Sequence, residues 1–537
     1  MRISIRSLDS CPLLLWPLIV VVTLALTLWL SARLAFNMDE FLVYHAIGCG
    51  MQACTDLWNR GREACRAFDV APFSWLTSNP IYLPLRSFPY VGSLQGLFYL
   101  PLYLLWPSPY SARFFGVFLI GAQGVLISKT FGHPALVTVP LLLLFMPYTV
   151  QHLMDTGQMS VYTTAVFLLV FLNKRWLAAL VAGRAWSWVL ATTIGVVNIC
   201  ILLLRLNNVA YIPALALLQL GCMSAFGLQT AWRLRKGTLS VQVIWIVGIF
   251  LFGAFALFTA VDRGNAPLHR AIFDTMAKSV SVHAPLPIVA FRHFVKDLSI
   301  YFLSPLLSAH VAHRIELKPQ IEGIGLIALV VLFFGYAWSI ARGTRYRLLS
   351  FVCVVAFALG ILSISGVSRS WAMHHLIPVF PILMVGIFSL IPPNHIRRGH
   401  VLMLLCFIAI NISLYRQVIQ LKPAGSAFDP RLKAYNDEIN EKFSSSHLMI
   451  VSAWGVYYTK LLYGPRDQCL MWADDGDTRS IEAAKRAKEA VKKPTLFISY
   501  GKKPPGYWRA FADNLEEVQT TTKIGEWRLW REVPPTP

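Results

Sequence analysis

The feature that most constrains this chain is its series of apolar runs. There are about eleven, each close to the roughly 20 residues needed to cross a bilayer. The first covers residues 12–36. The others fall at 111–129, 134–152, 157–172, 186–205, 208–231, 241–261, 321–341, 348–366, 375–391 and 400–419. Such a chain must fold into helices, because hydrocarbon offers the backbone no hydrogen-bond partners. Composition agrees, with 56% of the 537 residues hydrophobic and only 14% charged. The chain is expected to be a polytopic, all-α membrane protein rather than a soluble enzyme.

The formal net charge of +21 invites a nucleic-acid partner. The distribution of the basic residues argues against one, since they sit in short clusters between the apolar runs. Arg2 and Arg6 precede the first run and place the N-terminus in the cytoplasm. That run is longer than a signal-peptide core and lacks a small-x-small cleavage site, so an uncleaved anchor is expected. Alternation from there gives inside loops holding Lys129, Lys174-Arg175 with Arg184, Arg233 to Lys236, Arg342 with Arg345 and Arg347, and Arg397-Arg398. Every inside loop is basic, as the positive-inside rule requires. The same alternation places Asp39, Asp155, the loop 262–320, Arg369 to His375 and the C-terminal tail outside. An inner or plasma membrane is the expected location.

Directly after the first run comes Phe36-Asn37-Met38-Asp39-Glu40-Phe41. Two adjacent carboxylates are ordinary in a solvated loop. At the mouth of an intramembrane cavity they can instead supply a base that meets an acceptor from water and a donor from lipid. Asp155, in His152-Leu153-Met154-Asp155-Thr156-Gly157, opens the fourth run, where an acid also serves as a helix N-cap. Capping and chemistry are compatible there. Arg113 opens the second run and Arg205 ends the fifth. Singly, an arginine at a span end is a snorkelling anchor. Arg86, Arg292, His293, Lys296, Arg369, His374 and His375 join them on the expected outer side, against the positive-inside bias. An anionic lipid phosphate would supply these cations with a partner, through charge-assisted hydrogen bonds. Segments 41–53 and 94–106 are short for spanning and are expected to be helices lying in the interface. The nine cysteines form no CxxC pair, so no zinc or redox motif is indicated. Cys49, Cys54 and Cys65 share one expected outer loop, where a disulfide between two of them is allowed.

From about residue 420 the chain becomes polar with mixed charge. Segments 447–454, 468–472 and 494–500 have the pattern of short buried strands, and 517–533 that of a hairpin turning near Ile524-Gly525. Residues 478–493 have helical composition, capped by Asp477 or Thr478 and carrying the pair Glu482 and Arg486. The layout expected is a transmembrane domain over 1–420, with long loops at 37–109 and 262–320, and a small α/β domain over 421–537. Asp474, Asp475 and Asp477 suit a solvated acidic turn better than a cation site, lacking regular ligand spacing.

In order and sidedness, four stretches resemble the C-type (GT-C) lipid-phosphate-dependent glycosyltransferases, the superfamily of protein O-mannosyltransferases and aminoarabinose transferases. They are Asp39-Glu40; Phe88-Pro89-Tyr90 through Leu102-Tyr103, with Pro107-Ser108-Pro109-Tyr110-Ser111-Ala112-Arg113-Phe114; Met146-Pro147-Tyr148 running to Asp155; and His375-Leu376-Ile377-Pro378-Val379-Phe380-Pro381. The resemblance is good over residues 1–175, moderate over 370–390 and slight in the tail. It implies transfer of a sugar, with inversion, from a polyprenyl-phosphate donor to a protein, lipid or glycan hydroxyl outside the membrane. Asp39 would match the family's general base. Glu40 and Asp155 would hold the acceptor or steady charge on the sugar ring. Arg86, Tyr90, Arg113, Arg369, His374 and His375 would meet donor and phosphate. Relatives often carry Lys beside Pro-Pro where this chain has Arg86-Ser87-Phe88-Pro89. No cofactor is required in the branch it most resembles. A divalent cation is used in others, and Asp39, Glu40 and Asp155 could form part of such a site. The competing class is a transporter or lipid flippase, but the inverted repeats and broken helices of such folds are not evident.

Overall fold

The computed structural model describes residues 70–73, 81–84, 86–88, 91–92, 94–106, 109–132, 158–204, 211–262, 346–365, 377–390, 430–443, 446–452, 469–473, 478–500, 504–522 and 527–533, together with Ala25. The chain divides into two compact units. One comprises residues 1–34, 106–257 and 272–422, the other 35–105, 258–271 and 423–537.

The first unit is helical. Its described helices are α2 (Pro109–Phe131), α3 (Gln158–Val181), α4 (Ser187–Leu204), α5 (Ile212–Phe226), α6 (Leu228–Asp262, within this unit to Leu257), α7 (Arg347–Ser365) and α8 (Phe380–Leu390). Three of these are long and apolar enough to cross a membrane by length and composition. The expected runs 12–36, 134–152, 321–341 and 400–419 lie outside the described elements.

Two boundaries differ from expectation. Lys174 and Arg175, expected in a loop, lie inside α3, which continues to Val181. The charges do not end the helix because the Lys174 ammonium reaches the carbonyls of Lys129 (3.1 Å) and Thr130 (2.5 Å) at the end of α2. Arg175 lies over the Trp186 ring, 5.8 Å from its centroid. Arg233 to Lys236, also expected in a loop, belong to α6. The chain reverses instead at Gly227, whose φ of 117° is a left-handed conformation that glycine adopts without strain. Within α6 only Arg235 is non-helical (φ −141°, ψ 34°). Within the run 375–391, Ile377–Val379 form a 3-10 turn and the chain becomes α-helical at Phe380. Pro381 suits the start of a helix, where its missing N–H is not needed.

Helix directions follow from side-chain contacts. Gln123 of α2 meets Ser160 and Thr164 of α3, and further along Lys174 meets the end of α2, so these two run the same way. Asn198 and Gln219 exchange hydrogen bonds across the α4–α5 hairpin. Gly221 packs on Val352 and Gly360 on Ala214, while Gly360 also meets Val379 and Ser350 donates to the Gly386 carbonyl, which sets α7 antiparallel to both α5 and α8. The rings of Phe131, Phe226 and Tyr346 gather the ends of α2 and α5 with the start of α7. Trp245 donates to Thr192 at 3.0 Å, and Gly253 packs on Ile199, so α4 and α6 are parallel. Thus α2, α3, α5 and α8 run one way, and α4, α6 and α7 run the other.

The second unit contains two antiparallel ribbons in the segment 37–109. In one, β1 (Val70–Phe73) pairs with β2 (Ile81–Pro84). In the other, β3 (Arg86–Phe88) pairs with β4 (Val91–Gly92). Sequence does not reveal them, since Pro72, Pro84 and Pro89 break every alternating run. Helix α1 (Leu94–Leu105) matches the expected 94–106, whereas 41–53 lies outside the described residues.

The tail of this unit carries a five-stranded sheet, ordered β6-β5-β7-β9-β8. Strands β5 (Leu448–Val451), β6 (Cys469–Trp472) and β7 (Thr495–Tyr500) are parallel; β8 (Leu515–Val518) and β9 (Trp527–Glu532) complete it antiparallel. All four β5 residues are buried, as a parallel strand covered on both faces must be. Helix α10 (Thr478–Val491) contributes Ala484 and Ala487 to a core with Leu448, Ile450, Met471 and Phe497. These strands and α10 agree with the sequence reading, while helix α9 (Pro430–Phe443) is an addition to it. Residues 474–477, with the three acids, lie outside the described residues.

Candidate active site

The helix directions give the first unit two chemically distinct ends. At one end lie Lys129, Lys174, Arg175, Arg184, Arg233, Arg235, Lys236 and Arg347, near the ends of α2 and α3 and the starts of α4, α6 and α7. At the other lie the starts of α2, α3, α5 and the 3-10 turn before α8. Arg113 is the fifth residue of α2, Asp155 precedes α3 by three residues in sequence, and His375 precedes the 3-10 turn by two.

Of the expected site residues, Asp39, Glu40, Tyr90, Asp155, Arg369, His374 and His375 lie outside the described residues, as do Cys49, Cys54 and Cys65. Arg86 opens β3, with its backbone opposite Gly92, and Arg113 lies in α2. For these two only the backbone is described.

What the described residues add is a buried polar layer in the opening turns of α3. Gln123 of α2 donates its Nε2 to the Ser160 carbonyl (3.1 Å) and to Thr164 Oγ1 (3.0 Å), and Thr164 donates to the Ser160 carbonyl (2.6 Å). Beside this closed set, Tyr162 Oη and Thr163 Oγ1 are buried with no hydrogen-bond partner among the described residues. A buried polar atom without a partner costs about 1–3 kcal/mol, and two consecutive ones call for an explanation. The sequence signal was present in the polar string Ser160, Tyr162, Thr163, Thr164 within an apolar run, though helical period alone does not say which of these face inward.

No protein-family model matches the chain, and no curated protein matches it by sequence. Solved structures do match. The crystal structure of ArnT from Cupriavidus metallidurans bound to undecaprenyl phosphate superposes with a TM-score of 0.57 at 12% identity, covering 98% of this chain and 99% of that one. This is the C-type glycosyltransferase fold. The apo structure of the same ArnT gives a TM-score of 0.54 at 12% identity, covering 96% of this chain and 98% of that chain. The archaeal oligosaccharyltransferase AglB from Archaeoglobus fulgidus, in complex with an inhibitory peptide and a dolichol-phosphate, is more distant, with a TM-score of 0.41 at 10% identity over 90% of this chain and 69% of that one. Among the described residues, three helices are long and apolar enough to cross a membrane by length and composition.

Proposed function

We propose that this GT-C chain is a membrane glycosyltransferase. It moves a sugar from a polyprenyl-phosphate carrier to an acceptor hydroxyl on the extracytoplasmic side. The observation that carries this reading is likeness to ArnT over nearly the whole of both chains, in a structure of ArnT that holds undecaprenyl phosphate.

In the reaction, the acceptor oxygen attacks the anomeric carbon from the face opposite the phosphate. The bond from that carbon to the phosphate oxygen breaks, and configuration inverts. Asp39 takes the acceptor's proton as the hydroxyl acidifies during attack. Glu40 and Asp155 hold the acceptor and steady positive charge on the ring. The carrier leaves as a phosphate, already a good leaving group, so the site needs cations rather than an acid. Arg86, Arg113, Arg369, His374 and His375 are assigned to it, with Tyr90 beside the donor. Support comes from the common end at which α2, α3 and the 3-10 turn begin, since Arg113 lies in the opening of α2 and, in sequence, Asp155 and His375 shortly precede the other two starts. The Tyr162 and Thr163 hydroxyls, buried without a hydrogen-bond partner among the described residues, lie at the same end and suit a polar ligand. The domain over 421–537 stands outside the membrane with the acceptor, the N-terminus inside.

The test is Asp39→Asn in proteoliposomes supplied with a polyprenyl-phosphate sugar. The variant is expected to fold and insert normally and to lose sugar transfer by at least about 100-fold, the lower range of general-base contributions. Transfer at the wild-type rate would remove Asp39 from the mechanism.

A further inference from the structure

The basic end of the helical unit carries a cluster that sugar transfer does not use. Helix α3 ends in a tight reversal. The Arg184 N–H bonds the Ala179 carbonyl (2.9 Å) and the Gly183 N–H bonds the Leu180 carbonyl (3.0 Å), with Gly183 at φ 68°. This is a Schellman cap, which glycine forms without strain. Three guanidinium groups gather on that turn. Arg175 and Arg184 both lie over the Trp186 ring, 5.8 and 5.9 Å from its centroid. Arg235 comes from the non-helical position in α6 and reaches the turn at Gly183, where its guanidinium occupies the space a Cβ would need. The glycine therefore serves twice, for the backbone turn and for the approach of the cation.

Among the described residues of their own unit, these charges have no counter-charge. Those between Pro109 and Leu257, and between Arg347 and Leu390, include no aspartate or glutamate. Three guanidinium groups held together without a carboxylate repel one another, which an external anion relieves. From the same point α6 runs away toward the other end with an uncovered apolar face, since only 11% of its Leu228–Phe255 stretch is buried. Ile244, Leu251 and Phe252 are 70%, 59% and 75% exposed. An anionic headgroup at one level and an acyl-length apolar face beside it match one kind of molecule.

We propose that Arg175, Arg184 and Arg235, around the residue 182–186 turn and the Trp186 indole, bind the phosphodiester headgroup of an anionic glycerophospholipid whose acyl chains lie along α6. Planar guanidinium forks suit a phosphodiester through paired hydrogen bonds, which a lysine cannot reproduce. Lys236, over Trp232 at 5.1 Å, extends the positive rim. This site does not depend on the sugar-transfer reading, because it lies at the C-terminal end of α3 and shares no residue with those assigned to that reaction.

The test is native mass spectrometry of the full-length, delipidated protein titrated with phosphatidylglycerol and with phosphatidylcholine of the same acyl chains. Retention of phosphatidylglycerol over phosphatidylcholine is expected in the wild type. The triple variant Arg175→Lys, Arg184→Lys, Arg235→Lys keeps the charge count and the insertion signal, yet is expected to bind phosphatidylglycerol about tenfold more weakly. Arg347→Lys, at the same end but outside the cluster, is expected to bind as wild type. Equal retention of both lipids, unchanged binding by the triple variant, or full displacement by millimolar inorganic phosphate would overturn the proposal. The two-lipid comparison uses the wild type alone, so it decides the matter even if the triple variant fails to fold.

Discussion

Gln123 of α2 donates its side-chain amide to the Ser160 carbonyl of α3 across 3.1 Å, tying together two neighbours that run in the same direction. Parallel neighbours need a connection that returns the length of a helix, the role expected of the apolar run 134–152. Because Thr164 continues to serve the Ser160 carbonyl when Gln123 is gone, Gln123→Leu strands no acceptor there. It is expected to cost roughly 0.6–1.7 kcal/mol, the range for interhelical hydrogen bonds in membranes. A modest fall in thermal midpoint of the detergent-solubilised protein checks this, and sugar transfer should fall further than stability does, since the opening of α3 follows Asp155.

Tyr162→Phe should separate stability from function. The substitution deletes a buried hydroxyl that has no hydrogen-bond partner among the described residues, so the protein is expected to be as stable or more stable, by up to roughly 1 kcal/mol. If that hydroxyl waits for substrate, transfer drops while expression and melting do not. A variant both stable and fully active would remove Tyr162 from the site.

At the other end of α3, Trp176 Nε1 donates to Gln242 Oε1 (2.6 Å), and Gln242 Nε2 donates to Ser187 Oγ (2.9 Å). All three residues are buried. One amide thus joins α3, α4 and α6, and Gln242→Leu leaves an indole N–H and a hydroxyl unserved. A loss of about 1–3 kcal/mol is expected, read as a lowered thermal midpoint. The conservative Gln242→Glu, in its protonated form, is expected to recover part of it.

The C-terminal domain should be acid-sensitive for an identifiable reason. Burial pushes the Glu438 carboxyl up. The Thr521 hydroxyl, Lys442 and the Thr521 and Thr522 N–H groups outweigh burial and hold it down to about 2. A carboxyl depressed in the folded state stabilises above its unfolded value, and that contribution disappears as pH falls from about 4.5 toward 2. His447 acts in the same direction at higher pH. Burial lowers its pKa, with Arg531 adding to the effect and Glu532 opposing it. Protonation therefore favours the unfolded chain as pH drops through the ordinary imidazole range. The fluorescence of the domain's tryptophans, followed against pH in full-length protein, should show this loss, and Glu438→Gln should flatten the segment below about pH 4.5.

The apolar runs, their basic flanks and the patterned tail by themselves determined that the chain carries helices of membrane-spanning length and which tail segments become β5–β9 and α10, though not the ribbons β1–β4 or α9. Burying apolar surface is a local demand, and the 3.6- and 2-residue periods record it residue by residue. The same records misplace ends at Lys174 and Arg233, because a charge closes a span in sequence while in space it reaches a carbonyl or an indole. Tertiary structure alone decided that α2, α3, α5 and α8 share a direction, that α9 closes against the Thr521 turn, and that Arg235 meets Gly183. Each depends on contacts between residues tens of positions apart, whose partners no local pattern specifies. The Tyr162 and Thr163 hydroxyls show the difference most plainly: their polarity is written in the sequence, but being buried without a hydrogen-bond partner among the described residues is a property only of the packed helices.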